Sequence, residues 1–240
     1  MKKAGFRIFL HDFYHYFTRG ERALWCCSIA LVLVAFIIFD RRDYMTLTAS
    51  LVGVTSLILD AKANPIGQVL MVVFSLLYGA ISFRCAYYGE MITYLGMTAP
   101  MSVFALVSWL RHPFEGDRSQ VRVRGLRAGD GIIALLLCGA VTAAFFFILR
   151  AMGTANLVPG TISVATSFLA VALTYLRSPL FALAYAANDA VLIVLWVMAG
   201  LSEPSYLSVA VCFGVFLVND SYTYINWRRL KRQQGEKTRA

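Results

Sequence analysis

Apolar runs of seventeen or more residues recur along the whole chain, and short polar breaks separate them. Each run is long enough to cross a hydrocarbon core of roughly 30 Å as an α-helix. The pattern predicts eight spans, at 23–39, 44–60, 66–84, 90–110, 131–149, 157–176, 180–200 and 205–226. The alternating pattern of about ten residues that marks a transmembrane barrel is missing, so helices are the form that satisfies the backbone in lipid. Ahead of the first run, AGFRIFLHDFYHYF places Phe6, Phe9, Leu10, Phe13 and Phe17 at three-to-four spacing. That spacing predicts an amphipathic helix over residues 1–20, resting on the membrane surface.

Charge sets the orientation. With the N-terminus inside the cell, 18 of the 22 Lys and Arg residues fall on cytoplasmic segments, and only Arg41, Arg42, Arg84 and Arg150 do not. Cytoplasmic loops carry this excess, so both termini are expected in the cytoplasm. The same bias accounts for the net charge of +9 without a nucleic-acid partner. Trp25, Trp109 and Trp227 each stand beside an arginine at an inner span end and read as interface anchors. Trp196 has no basic neighbour, which leaves an outer aromatic belt and an interior position both open.

Residues 112–131 form the longest polar stretch between spans and divide the chain near its middle. Around it, short segments echo one another. NPIGQVL opens span three and SPLFALA opens span seven, each with proline in the first helical turn, where its missing N–H costs nothing. SWLRH and NWRRL end spans four and eight; GVTSLIL and VATSFLA occur in spans two and six. The expected architecture is two three-helix units facing the same way (44–111 and 157–227). A cytoplasmic loop and linking helix join them (112–156), an extra span precedes them (21–43), and a basic tail ends the chain (228–240). This is a 3+1+3 parallel repeat of the kind seen in SWEET transporters, whose substrate site sits near the midplane between the units.

Polar residues inside the spans mark that site, because a buried charge in lipid costs a few kcal/mol and tends to face a cavity or a partner. In YAANDAVLIVLW, Tyr185, Asp189 and Trp196 share one helix face and Asn188 borders it. Span eight carries Asn219, Asp220 and Tyr222; span three carries Gln68, Ser75, Tyr78 and Ser82; span four opens with Glu90 and Tyr94. Pro100, midway along span four, is expected to kink it. The candidate binding residues are Asn188, Tyr185, Asp189, Trp196, Tyr78, Gln68, Tyr94 and Asn219.

Every Lys and Arg stands outside the spans or at their ends. A phosphate at the midplane needs cations to offset it, so the lining suits a neutral or cationic flat ring with hydroxyls, a nucleoside or vitamin rather than a nucleotide. No P-loop pattern is present, and no cofactor is implied. His11 and His15 have metal-ligand spacing but no third ligand nearby, and the five cysteines form no CxxC pair, so no metal site is expected. No small-residue cleavage site follows the first apolar run, which argues against a signal peptide.

The stretches GQVLMVVFSLLYGAISFRCAYYGEMITYLGM, YAANDAVLIVLWVMAG and VNDSYTYINWRR resemble the PnuC family of bacterial vitamin transporters. The resemblance covers spans two to four and six to eight, and leaves the surface helix and span five unmatched. It rests on Tyr88, Gly89 and Glu90 together with Asn188. It implies a homotrimer in the bacterial inner membrane that imports nicotinamide riboside by facilitated diffusion, the solute being trapped by a separate cytoplasmic kinase. Asn188, Tyr185 and Tyr78 are then expected to hold the solute, with Gln68, Tyr94 and Asn219 behind them. Asp189 is either a counter-charge to the pyridinium ring or a structural hydrogen-bond partner. Family members often carry a tryptophan one turn before the asparagine of span seven; here that segment reads LFALAYA. Relatives move thiamine or riboflavin, which stay open as solutes, as does proton-coupled uptake through Asp189 or Glu90. An intramembrane aspartyl protease built on Asp189 and Asp220 would require a GxGD signature, which the chain lacks.

Overall fold

The computed structural model describes residues 16–85, 87–154 and 156–237. The amphipathic helix expected over residues 1–20, with His11 and His15, falls almost wholly outside the described residues. Among the described residues, eight helices are long and apolar enough to cross a membrane: α1 (Arg19–Phe39), α2 (Tyr44–Ala61), α3 (Ile66–Arg84), α4 (Tyr88–Arg111), α5 (Ala128–Ala151), α6 (Leu157–Tyr175), α7 (Leu180–Gly200) and α8 (Leu207–Lys237). Each matches a span read from the sequence. Helix α8 is the exception in length. It continues eleven residues past the expected end at 226, because Gln234 accepts from Val123 N–H (2.8 Å) and donates to Val121 C=O (3.1 Å). That clamp holds the polar end of α8 against the loop after α4. The loop itself is a short hairpin, Pro113–Phe114 with Asp117–Val121, turned by Glu115 and Gly116. Both turn residues have positive φ (51° and 81°), which matches the twist of a two-residue hairpin.

Six helices form a closed ring. Neighbours pack in the order α2, α3, α4, α6, α7, α8 and back to α2. Helix α1 packs on α2 and α8, and α5 packs on α6. The attachment of α1 combines apolar packing of Val32, Ile29 and Trp25 with polar contacts. A capping box links Thr18 and Glu21, and the same buried Glu21 carboxylate accepts from Tyr222 Oη (3.0 Å) and pairs with Lys62 (3.4 Å). Helix α5 buries only Ala134, Cys138 and Leu149 and turns a leucine-rich face outward, as lipid requires. Apolar burial gives helices in lipid little reason to associate, so close packing carries the ring. Gly53 shows this: a Cβ there would overlap the Phe216 ring.

The turns entering α3 and α7 match bond for bond. Ala63 and Arg177 both take φ of 57°, two residues before Pro65 and Pro179. In the first turn Ala63 N–H donates to Asp60 C=O and Asn64 N–H to Leu59 C=O; in the second Arg177 N–H donates to Thr174 C=O and Ser178 N–H to Leu173 C=O. The last residue of the hairpin and the backbone just beyond it then cap both turns, Val121 N–H on Ala63 C=O and Arg124 N–H on Arg177 C=O, each at 2.9 Å. Trp109 at the end of α4 donates to Thr174 C=O (3.0 Å), and Trp227 on α8 donates to Asp60 C=O (2.7 Å). The two indoles meet with centroids 5.3 Å apart, and neither is exposed. The expectation that they anchor at the membrane interface is therefore corrected. Their neighbouring arginines reach the surface while the rings close the middle of the ring of helices.

Candidate functional site

The ring encloses two polar layers. The layer farther from the basic end is aromatic. Tyr78 on α3 sits 4.3 Å from Tyr94, 5.6 Å from Phe74 and 5.3 Å from Phe213, measured between centroids. Trp196 Nε1 donates to Tyr78 Oη (2.6 Å), and Tyr87 packs 5.0 Å from the Trp196 ring. Trp196 is fully buried, so the outer-belt reading of this residue falls away. Tyr94 reaches the cluster through a local irregularity in α4. Thr93–Thr98 is a π-helical section in which Ala99 N–H bonds to Tyr94 C=O, five residues back. Pro100 follows directly; with no N–H to give and a ring that presses on the preceding turn, it disfavours a regular α-helix there. The kink expected at Pro100 thus takes the form of an inserted residue.

Asn188 stands at the α6–α7 contact. Its amide oxygen has three hydroxyls around it, Ser163 (3.2 Å), Thr166 (2.9 Å) and Ser167 (3.0 Å). Thr166 has one proton and also contacts Ile162 C=O at 2.9 Å. With that proton on the carbonyl, Thr166 is left as an acceptor, which suits the amide NH2. On its other side Asn188 meets the Tyr94 hydroxyl. Glu90 is 1% exposed and neither of its oxygens has a partner within hydrogen-bond distance. The Ser163 hydroxyl lies nearby, but it bonds at 3.2 Å to the Asn188 amide oxygen.

The second layer, nearer the basic end, is acidic. Asp189 on α7 and Asp220 on α8 are both buried and lie close enough to interact electrostatically. Asp189 Oδ2 and Asp220 Oδ1 have no hydrogen-bond partner among the described residues. Asp60, held by Gln68 Nε2 at 2.9 Å, lies within electrostatic reach of Asp220, and Tyr185 is close to all three acids. Gly67 permits this arrangement; a Cβ there would overlap the Asp60 carboxyl.

Seven of the eight candidate residues therefore line the interior: Asn188, Tyr78, Tyr94 and Trp196 around the aromatic layer, Tyr185, Asp189 and Gln68 around the acidic one. Asn219 lies elsewhere. Its amide donates to Ser28 Oγ on α1 (2.9 Å) and to Val215 C=O (2.8 Å), so it fastens the extra helix. The sequence reading did not single out Asp60, Ser163, Thr166 and Ser167. The last three stand at i, i+3 and i+4, a polar stripe on α6 that helical periodicity makes readable.

Comparison with known proteins fits this architecture. Residues 43–229 match the family model described as nicotinamide mononucleotide transporter. The nicotinamide riboside transporter PnuC of Neisseria mucosa is 21% identical over 219 residues, covering 89% of this chain and 83% of that protein. The fold is similar to a crystal structure described as the vitamin B3 transporter PnuC, with a TM-score of 0.80 at 20% identity over 91% of this chain and 94% of that one. The chain belongs to the nicotinamide mononucleotide transporter family, the PnuC family of membrane transporters.

Proposed function

We propose that the protein carries nicotinamide riboside, a dephosphorylated vitamin B3 nucleoside, across the bacterial inner membrane by facilitated diffusion. A separate cytoplasmic kinase then traps the solute by adding the phosphate. The observation that carries this reading is the chemistry of the interior. The ring offers Tyr, Trp and Phe faces, the amides of Asn188 and Gln68, and carboxyl groups, while no Lys or Arg stands within the apolar length of its six helices. A pyridinium ring stacks on such faces with a cation–π gain of roughly 0.5–2 kcal/mol. A phosphate placed there would face acids. The riboside named for the Neisseria relative fits this lining, and the mononucleotide of the family description does not.

In this reading Asn188, Tyr185 and Tyr78 hold the solute, and the two three-helix units rock against each other to alternate access. The matched turns at Ala63 and Arg177, and the exchange of Trp109 and Trp227 between units, support a parallel 3+1+3 repeat. The basic end faces the cytoplasm, by the bias of its loops. The outward apolar face of α5 is available for the homotrimer that the family resemblance implies.

The Asp189–Asp220 pair favours a second reading, in which proton movement is tied to solute movement. Uptake of labelled riboside into liposomes separates the two. Facilitated diffusion predicts accumulation to equal concentrations, unchanged by a pH gradient, and continued uptake when a riboside kinase and ATP are enclosed. Accumulation above the external concentration driven by the pH gradient alone would establish proton coupling instead.

A further inference from the structure

At the basic end, outside the ring interior, a cleft of about 670 Å3 opens between the start of α7 and the extension of α8. Arg228, Lys231 and Arg232 line it, with Ser178, Tyr224 and Leu180 among the other walls and Glu236 as the acid present. Tyr224, Arg228 and Lys231 with Arg232 stand at i, i+4 and i+7/i+8 along α8, so one helix stripe presents all three cations to one space. None of the three has an ion pair among the described residues. Arg228 is steadied over the Tyr224 ring at 5.8 Å. Lys231 crosses the loop at Gly125, where a Cβ would come within 2.8 Å of its ammonium.

Two further features sharpen the preference for an anion. Helix α7 begins at the cleft, and its first N–H groups add positive potential. Arg177, next to Ser178, is 8% exposed with no partner at Nε. Burial, with the guanidiniums of Arg124 and Arg122 nearby, holds it below the ordinary arginine range. Asp130 is taken up by Arg124 (2.7 Å), and Arg177 has no ion pair among the described residues, so positive charge here stays uncompensated. The walls also say where the anion comes from. Leu180 at the cleft and Leu183 one turn farther along α7 are 37% and 53% exposed, so an apolar track runs from the cleft along the bilayer face.

We propose that this cleft holds the headgroup of an acidic phospholipid, its phosphate between Arg228, Lys231 and Arg232 and its acyl chains along Leu180 and Leu183. Basic pockets beside spans on the cytoplasmic side have this chemistry. The lipid would brace α7 against α8, the two helices that carry Asp189 and Asp220. The inference is independent of which solute the ring carries.

Native mass spectrometry of the full-length protein, titrated in detergent with phosphatidylglycerol or phosphatidylcholine, tests it. Phosphatidylglycerol is expected to remain bound and phosphatidylcholine to be lost. Each cation near an anionic headgroup is worth about a fivefold change in affinity, so the triple variant R228Q/K231Q/R232Q is expected to bind about a hundred-fold more weakly. Glu236→Gln should tighten binding, and Arg229→Gln, which removes an exposed cation outside the cleft, should leave it within twofold. Equal retention of the two lipids, or equal loss in R229Q and the triple variant, would overturn the proposal. Displacement of the lipid by millimolar inorganic phosphate would assign the cleft to a soluble phosphate and overturn it as well.

Discussion

Replacing Asn188 with leucine separates a binding role from a packing role, because the structure sets a low folding cost and the proposed function a high binding cost. The two side chains have the same number of heavy atoms and the same branching, leucine being the bulkier, so the substitution opens no cavity. Three hydroxyls lose their shared amide, but Thr166 keeps Ile162 C=O, and Ser163 and Ser167 can turn to their own preceding carbonyls, as Thr161 and Thr174 do at 2.8 Å. The net loss of folding stability is about 1 kcal/mol. Binding is different. An amide opposite the riboside carboxamide supplies two hydrogen bonds of about 1 kcal/mol each, and leucine leaves the carboxamide buried and unpaired as well. The sum is about 2–3 kcal/mol, roughly a 30- to 150-fold loss of affinity. Calorimetry with nicotinamide riboside measures the second quantity, and thermal melting with size-exclusion chromatography measures the first. Affinity within twofold of the parent, in a variant that elutes and melts normally, would remove Asn188 from the site.

Other perturbations test the frame that holds the site. Gly67→Ala forces a Cβ into the Asp60 carboxyl and should destabilise the protein by about 1–3 kcal/mol, seen as a lower melting temperature; an unchanged melt would contradict the packing at that turn. Trp109→Phe and Trp227→Phe each remove one indole bond to a carbonyl that keeps another partner, Arg177 N–H or Ala63 N–H. If the two turns are equivalent, the losses should be alike, about 1 kcal/mol plus the lost ring contacts; a large disparity in melting would argue against equivalence. Pro100→Ala restores an N–H and relieves the pressure of a helix-interior proline, which is worth up to about 3 kcal/mol. It should raise the melting temperature while weakening riboside binding, because a regular helix moves Tyr94 out of register; unchanged binding would mean that the π-helical section is incidental.

Much of this molecule is legible in its sequence because lipid leaves few choices. Spans must be apolar, and their ends must carry charge, so all eight helices could be placed from hydropathy alone. The polar pair Asn188–Asp189 pointed inward for the same reason. What was hidden depended on packing between distant segments. Trp109 and Trp227 resemble interface anchors because arginines follow them, and only the opposing carbonyls of Thr174 and Asp60 show that they are buried. Asp60 stands at a span end two residues from Lys62, where a carboxylate looks ordinary, yet Gln68 and Gly67 draw it inside. Asn219 has the same sequence appearance as Asn188; its contact with Ser28 on α1 depends on where the extra helix docks. The extension of α8 is polar and reads as a tail, and only Gln234 on the hairpin backbone explains why it stays helical.

The central claim is that an interior of aromatic rings, amides and acids, without a cation, accepts the riboside and rejects its phosphate. Titrating the purified protein with nicotinamide riboside and, separately, with nicotinamide mononucleotide puts that claim to a direct test. The account predicts saturable binding of the riboside and binding at least tenfold weaker for the mononucleotide. Equal or tighter binding of the mononucleotide would contradict it.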